Sequence, residues 1–121
     1  MAGMNVWVKS GKVHNLTPAA GITTAAPTAG TPVYKDSPYA AIQGIVTGTG
    51  SVGATIAIQV SNEDATWAGT NSNWITIGTI TLSGTTTATD GFTTVAPWKY
   101  LRANVTAISG TNATVTVLMG V

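Results

Sequence analysis

Few residues in this chain carry side chains able to do chemistry, and their spacing decides what they can do. His14 is the sole histidine. An imidazole acts as a general base only with an orienting partner on one side and a nucleophile on the other. No GxSxG-like motif accompanies His14 and its surroundings are low in complexity, so it reads as a solvated side chain. The acids are Asp36, Glu63, Asp64 and Asp90. Glycoside hydrolysis needs two carboxylates converging across one sugar bond, whereas Glu63 and Asp64 are neighbours in the turn-like stretch NEDATWAGTNSN. Asn62, Glu63 and Asp64 offer oxygens to a hard cation such as calcium, but their spacing is not that of an EF-hand, and a polar turn is the simpler reading. No Gly-rich loop opens a helix to cradle a phosphate. The absence of cysteine excludes thiolate chemistry, disulfides and Cys-based metal sites. The chain is therefore expected not to be an enzyme and to use no metal or cofactor.

Aromatic and basic residues are the remaining candidates, and their chemistry is recognition. Trp67 and Trp74 flank the polar run AGTNSN, where Asn71 and Asn73 could hydrogen-bond a sugar stacked on the indoles. The favoured alternative is that both tryptophans plug the end of a β structure. Trp98, after Pro97, begins a strand and reads as a core or rim residue. Arg102 alternates with Leu101 and Ala103, so it should project outward, and with Lys99 it makes a basic feature too small for nucleic acid. The sequons at Asn15, Asn104 and Asn112 arise readily in a Thr-rich chain and read as incidental.

Composition says what surrounds these residues. A chain of 121 residues is expected to be one domain. Only 7% of its residues are charged, against about 25% in typical domains. The polar role falls to Thr, Ser, Asn and Gly. A net charge of +1 gives little colloidal repulsion and no footprint for nucleic acid. Such a surface suits a protein largely covered by partners or by copies of itself, and a Thr-rich extracellular β domain is the alternative. The N-terminus lacks the basic and apolar regions of a signal peptide. No apolar run approaches the ~20 residues of a membrane helix. The expectation is a soluble protein made in a cytoplasm, with neither membrane nor nucleic acid among its partners.

The elements that would position these groups are strands. Helical periodicity is nearly absent, and Thr, Val and Ile dominate the apolar stretches. In ATIAIQVS, Ile56, Ile58 and Val60 share a face, and in AAIQGIVTG so do Ile42, Gly44 and Val46. In WITIGTITL the parity of Ile75 and Ile77 differs from that of Ile80 and Leu82, so a bulge or bend at Gly78–Thr79 should return both pairs to the core. Leu101, Ala103 and Val105 form one alternating set, and Val115, Val117 and Met119 another. SGTN at residues 109–112 is expected to turn a hairpin between them, with Gly110 at positive φ. With MNVWVK and TDGFTTV added, the expected fold is all-β: an antiparallel, jelly-roll-like β-sandwich of about seven to eight short strands. An immunoglobulin-like order is the alternative.

Residues 10–38 break this pattern with four of the five prolines and no sustained alternation. Extended, they would span at most ~95 Å at ~3.3 Å per residue. The expected organisation is an N-terminal strand over 1–9, an irregular Thr/Ala/Gly/Pro-rich arm over 10–38 and a sandwich core over 39–121. The arm is either a segment ordered by lying across a neighbour or a floppy insertion.

The runs IQVSNEDATW, WITIGTITLSGT and APWKYLRANVTAISGTNATVTVLMGV resemble a pattern in small bacteriophage virion proteins. There a QxSxD…W strand and turn precede a (R/K)YLRxNVT…SGT…VTVxxG hairpin. The resemblance covers about residues 54–121. A weaker likeness is to galactose-binding-like jelly rolls, including discoidin-type and carbohydrate-binding modules, in which the strand before the final hairpin reads YVRLxVT; discoidin-like modules are usually longer and often secreted. The phage resemblance implies a capsid decoration, or cement, protein: a small homo-oligomer, dimer or trimer, that clamps major capsid subunits from outside the virion. Expected assembly contacts are the arm, residues 4–9 and the outward strand residues, with Trp7, Lys12, Ile22, Tyr34, Tyr100 and Arg102 named. Under the jelly-roll likeness Trp67, Asn71, Asn73 and Trp74 would instead touch a glycan or receptor. A tail or neck structural role is a third reading.

Overall fold

The computed structural model describes residues 6–8, 12–18, 20–23, 28–30, 32–35, 37–62 and 73–121. The described residues form an all-β structure. In chain order its strands are β1 (Val6–Val8), β2 (Val13–Asn15), β3 (Thr28–Ala29), β4 (Val33–Lys35), β5 (Tyr39–Ser61), β6 (Ile75–Val95) and β7 (Tyr100–Gly120). All belong to one hydrogen-bonded sheet with the main path β1-β4-β7-β5-β6, and β2 and β3 also pair with β7. Every pairing is antiparallel except the parallel β1–β4 contact.

This corrects the expectation of seven or eight comparable short strands. Three strands of 23, 21 and 21 residues dominate, where a typical strand has about five or six. AAIQGIVTG and ATIAIQVS are two halves of β5. The two alternating sets near the C-terminus are likewise two halves of β7, both paired to β5 and not to each other. SGTN is therefore no hairpin. It is a bend, with Gly110 at φ 111° and Asn112 at φ 56°.

The long strands bend together. A Cβ placed on Gly44 would lie 2.8 Å from Ile56 Cδ1 and 3.3 Å from Ile80 Cγ2. A straight strand would separate residues 44 and 56 by ~40 Å at ~3.3 Å per residue. The sheet is thus doubled over, and its two limbs pack face to face. One limb holds residues 39–47, 87–95 and 113–120; the other holds 51–61, 75–85 and 100–108. At the bend lie the register shifts between Thr47 and Ser51 and between Thr49 and Gly53. There too lie Gly50 at φ 72° and Thr86 at φ 61°. Left-handed residues and lost ladder bonds are what a sharp strand corner requires.

Alternation decides what the fold buries. Ile42, Val46, Ile56, Ile58 and Val60 of β5 meet Val105, Val115, Val117 and Met119 of β7 and Ile80 and Leu82 of β6 in one core. Parity on β5 is the same on both sides of the bend, so one continuous face turns inward. On β6, Ile58 pairs with Gly78 and Gln59 with Thr76, which leaves Ile77 as a bulge. Ile77 turns against the core, whereas Ile75 stays 50% exposed. The parity switch therefore recovers one isoleucine and not the pair.

The 10–38 segment is not a free arm in its described parts. Those parts run antiparallel along β7 as a broken strand: β2 on residues 118–120, Ile22 on Val115, β3 on 104–105 and β4 on 100–101. Leu16 N donates to Val117 O at 2.8 Å and Gly30 N to Ala103 O at 2.7 Å. Leu16, Ile22 and Val33 are buried in the core. At about 1.5–3 kcal/mol per buried aliphatic side chain, the three contribute on the order of 4.5–9 kcal/mol. Prolines lack an N–H and so interrupt the ladder without preventing it between them.

Candidate interaction surface

At the end opposite the bend, the chain crosses between the limbs at Ser37–Pro38 and at residues 96–99. The two crossings are stitched by Ala96 N to Pro38 O at 2.6 Å and Lys35 N to Lys99 O at 2.8 Å. The Lys35 side chain closes this end. It is 1% exposed, and its Nζ donates to Ser37 O and to Ala96 O. Burial, and secondarily the charge of Lys99, lower its pKa from the ordinary lysine value. No sequence signal marked Lys35, because a lysine before a proline-flanked turn reads as solvated.

Beside this closure the outer face of the first limb carries an apolar patch. Tyr39 and Val95 are cross-strand partners. They are 63% and 69% exposed, and Val13 is 70% exposed. With Ala41, Gly120 and Val121 they line a shallow trough, rimmed by Lys12. The glycine and alanine leave its floor low, so the larger side chains stand above it. Side-chain alternation on β5 could have found Tyr39 and Ala41, since both are odd-numbered on a strand whose even residues face the core. Val13 and Val95 needed the strand pairing.

The second limb holds the expected basic and aromatic residues. The Arg102 guanidinium lies 4.4 Å from the centroid of the Trp74 ring. Its Nε donates to Gln59 Oε1 at 2.9 Å, and Gln59 Nε2 donates to Thr76 Oγ1 at 3.3 Å. Partial burial lowers the Arg102 pKa from its ordinary value. Trp74 Nε1 is buried with no acceptor among the described residues. Arg102 does face outward as its parity requires, but it covers one face of Trp74 and is held by Gln59. Asn73 is exposed beside it, while Trp67 and Asn71 lie outside the described residues.

Other expected contacts are placed differently. Ile22 is in the chain's own core and is not available to a neighbour. Tyr100 is 8% exposed, and its ring packs edge-on against Tyr34 with centroids 5.6 Å apart. That pair is internal because β4 and β7 are neighbours in the sheet. Lys12 is exposed, and its carbonyl accepts from Val121 N at 3.4 Å. Trp7 pairs through its backbone with Tyr34.

Among the described residues, the chemistry-bearing side chains are not brought together. His14 sits on β2 opposite Met119, and Asp90 is exposed on β6 with its carboxylate accepting from Gly91 N at 2.8 Å. Asn62 Oδ1 accepts from Lys99 N at 3.1 Å, while Asp36, Glu63 and Asp64 lie outside the described residues. Comparisons with protein-family models, curated proteins and solved structures find no match.

Proposed function

We propose that this chain is a structural protein of a bacteriophage particle, of the head-decoration or cement type, that binds the capsid exterior as an oligomer and bridges major capsid subunits. The observation that carries the reading is the outward patch of Val13, Tyr39 and Val95 on a chain with 7% charged residues. Grouped large apolar side chains on an outer face fit a partner surface better than bulk water. The virion-like sequence pattern supports it as well, since its residues make the second half of β5 and all of β6 and β7. The face-to-face limbs support the finer reading of the fold as a jelly-roll-like sandwich made from a single bent sheet.

The mechanism is mechanical. Each copy docks its patch on a capsid subunit, and linked copies turn modest contacts into tight attachment through their effective concentration. Tyr39 is the anchor, because exposed tyrosines that become buried dominate interface energies. Co-sedimentation of the purified protein with particles lacking it tests this. Wild type is expected to decorate heads in negative stain, and Tyr39→Ala to weaken attachment by roughly tenfold or more. Attachment unchanged in Tyr39→Ala would rule out the patch as the docking surface. Binding to glycans instead of particles, lost in Trp74→Ala, would favour a carbohydrate- or receptor-binding module. Decoration confined to tails or necks would move the role there.

A further inference from the structure

One side of β6 is unpaired among the described residues, because β6 ends the sheet and its only partner is β5. An open edge is a row of unused N–H and C=O groups that accepts another strand. Natural edges are blunted with charges, prolines, bulges or short length. On β6 such features lie outside residues 78–85: the Ile77 bulge precedes them, and the left-handed Thr86 and then Asp90 follow. Within them the sequence is GTITLSGT, with neither charge nor proline.

The order of those residues identifies the partner. About Thr81 the stretch GTITLSG has the same residue classes in both directions: Gly78 and Gly84, Thr79 and Ser83, Ile80 and Leu82. A copy related by a two-fold axis at Thr81 runs antiparallel and sets glycine against glycine, hydroxyl against hydroxyl and aliphatic against aliphatic. Ile80 and Leu82 are buried while Thr79, Thr81 and Ser83 are exposed, so both copies keep their inner and outer faces in register. Thr–Thr and Thr–Ser neighbours across strands are stabilising pairs, and like charges directly opposite are not. No charge lies in this stretch, and Asp90 lies well away from the axis.

We infer that two copies of this chain join edge to edge through residues 78–84 of β6, antiparallel about a two-fold axis at Thr81, making one sheet continuous across the dimer. This deepens the assembly reading by specifying the self-contact, and it fails separately from it. An isologous contact of this kind closes at two and does not grow into a fibre.

The absence of native cysteine gives a clean test. Thr81 is outward-facing, so Thr81→Cys leaves the core untouched. Its Cβ would meet its own symmetry mate at about 4.5–5.5 Å, and a small adjustment reaches disulfide range. Light scattering of the wild-type chain is expected to give a dimer, and mild oxidation of Thr81→Cys a covalent dimer. Thr106→Cys, exposed on β7, should stay uncrosslinked. Thr81→Lys and Thr81→Glu should each raise the dimer dissociation constant by roughly fivefold, and an equal mixture should restore it. A wild-type monomer, a dimer in which Thr81→Cys does not crosslink, or equal crosslinking of Thr106→Cys would overturn the inference. Particle binding by a monomer would overturn it and leave the decoration reading standing; a dimer that binds no particle would do the reverse.

Discussion

Lys35 shows how much one side chain can hold. Its ammonium lies under the crossing connections and bonds carbonyls of both, Ser37 O and Ala96 O. Burial penalises the charged form, so its folded pKa lies below 10.5. Between that lowered value and 10.5 the unfolded chain binds more protons than the folded one, and linkage then makes stability rise with pH. A neutral amine keeps two N–H donors, enough for both carbonyls. Urea denaturation from neutral pH up to 10.5 should therefore show wild type gaining stability relative to Lys35→Met as pH rises. A flat or falling difference would contradict the burial. Trp74 and Arg102 illustrate the converse: alternation alone placed Arg102 on the outer face, but that it would cover Trp74 depends on a cross-strand neighbourhood that parity does not encode.

At the scale of elements, the strands were legible and their continuity was not. Period-two patterning marks Ile56, Ile58 and Val60 as well as Val115, Val117 and Met119, because both limbs turn the same face inward. Nothing in that pattern distinguishes a bend from a hairpin: glycine at positive φ serves either, and only pairing shows that both halves of β7 lie along β5. The 10–38 segment misled for a related reason. Its prolines and Gly21 at φ 80° break the alternation while Leu16, Ile22 and Val33 still reach the core. Leu16→Ala should accordingly cost about 2–5 kcal/mol in chemical denaturation, where a free arm would show no change. Gly44→Val tests the doubled sheet. Its side chain would press on Ile56 of the other limb and cost about 1–3 kcal/mol, whereas on an open sheet it would cost little.

For the whole molecule, the scarcity of charge was readable from composition and agrees with a surface of Thr and Ser around one bent sheet. What composition could not supply was direction: which face carries the apolar patch and which edge is open. Those follow from the strand pairing, which sets Tyr39 beside Val95 and Val13 beside Gly120, and from the strand order, which leaves β6 outermost among the described residues. Under the proposed function the molecule is a particle-bound oligomer, with the patch toward the capsid and the β6 edge toward a second copy. With a net charge of +1, attachment should survive high salt, since screening removes little from contacts that are apolar and backbone-mediated. Cryo-electron microscopy of purified particles, together with the mass ratio of this chain to the major capsid protein, decides whether the protein decorates the capsid. Ordered density is expected on the outside of the head at a fixed ratio to capsid subunits, with paired copies meeting along a strand. Particles without this chain, or with it only inside the head or on the tail, would contradict that role.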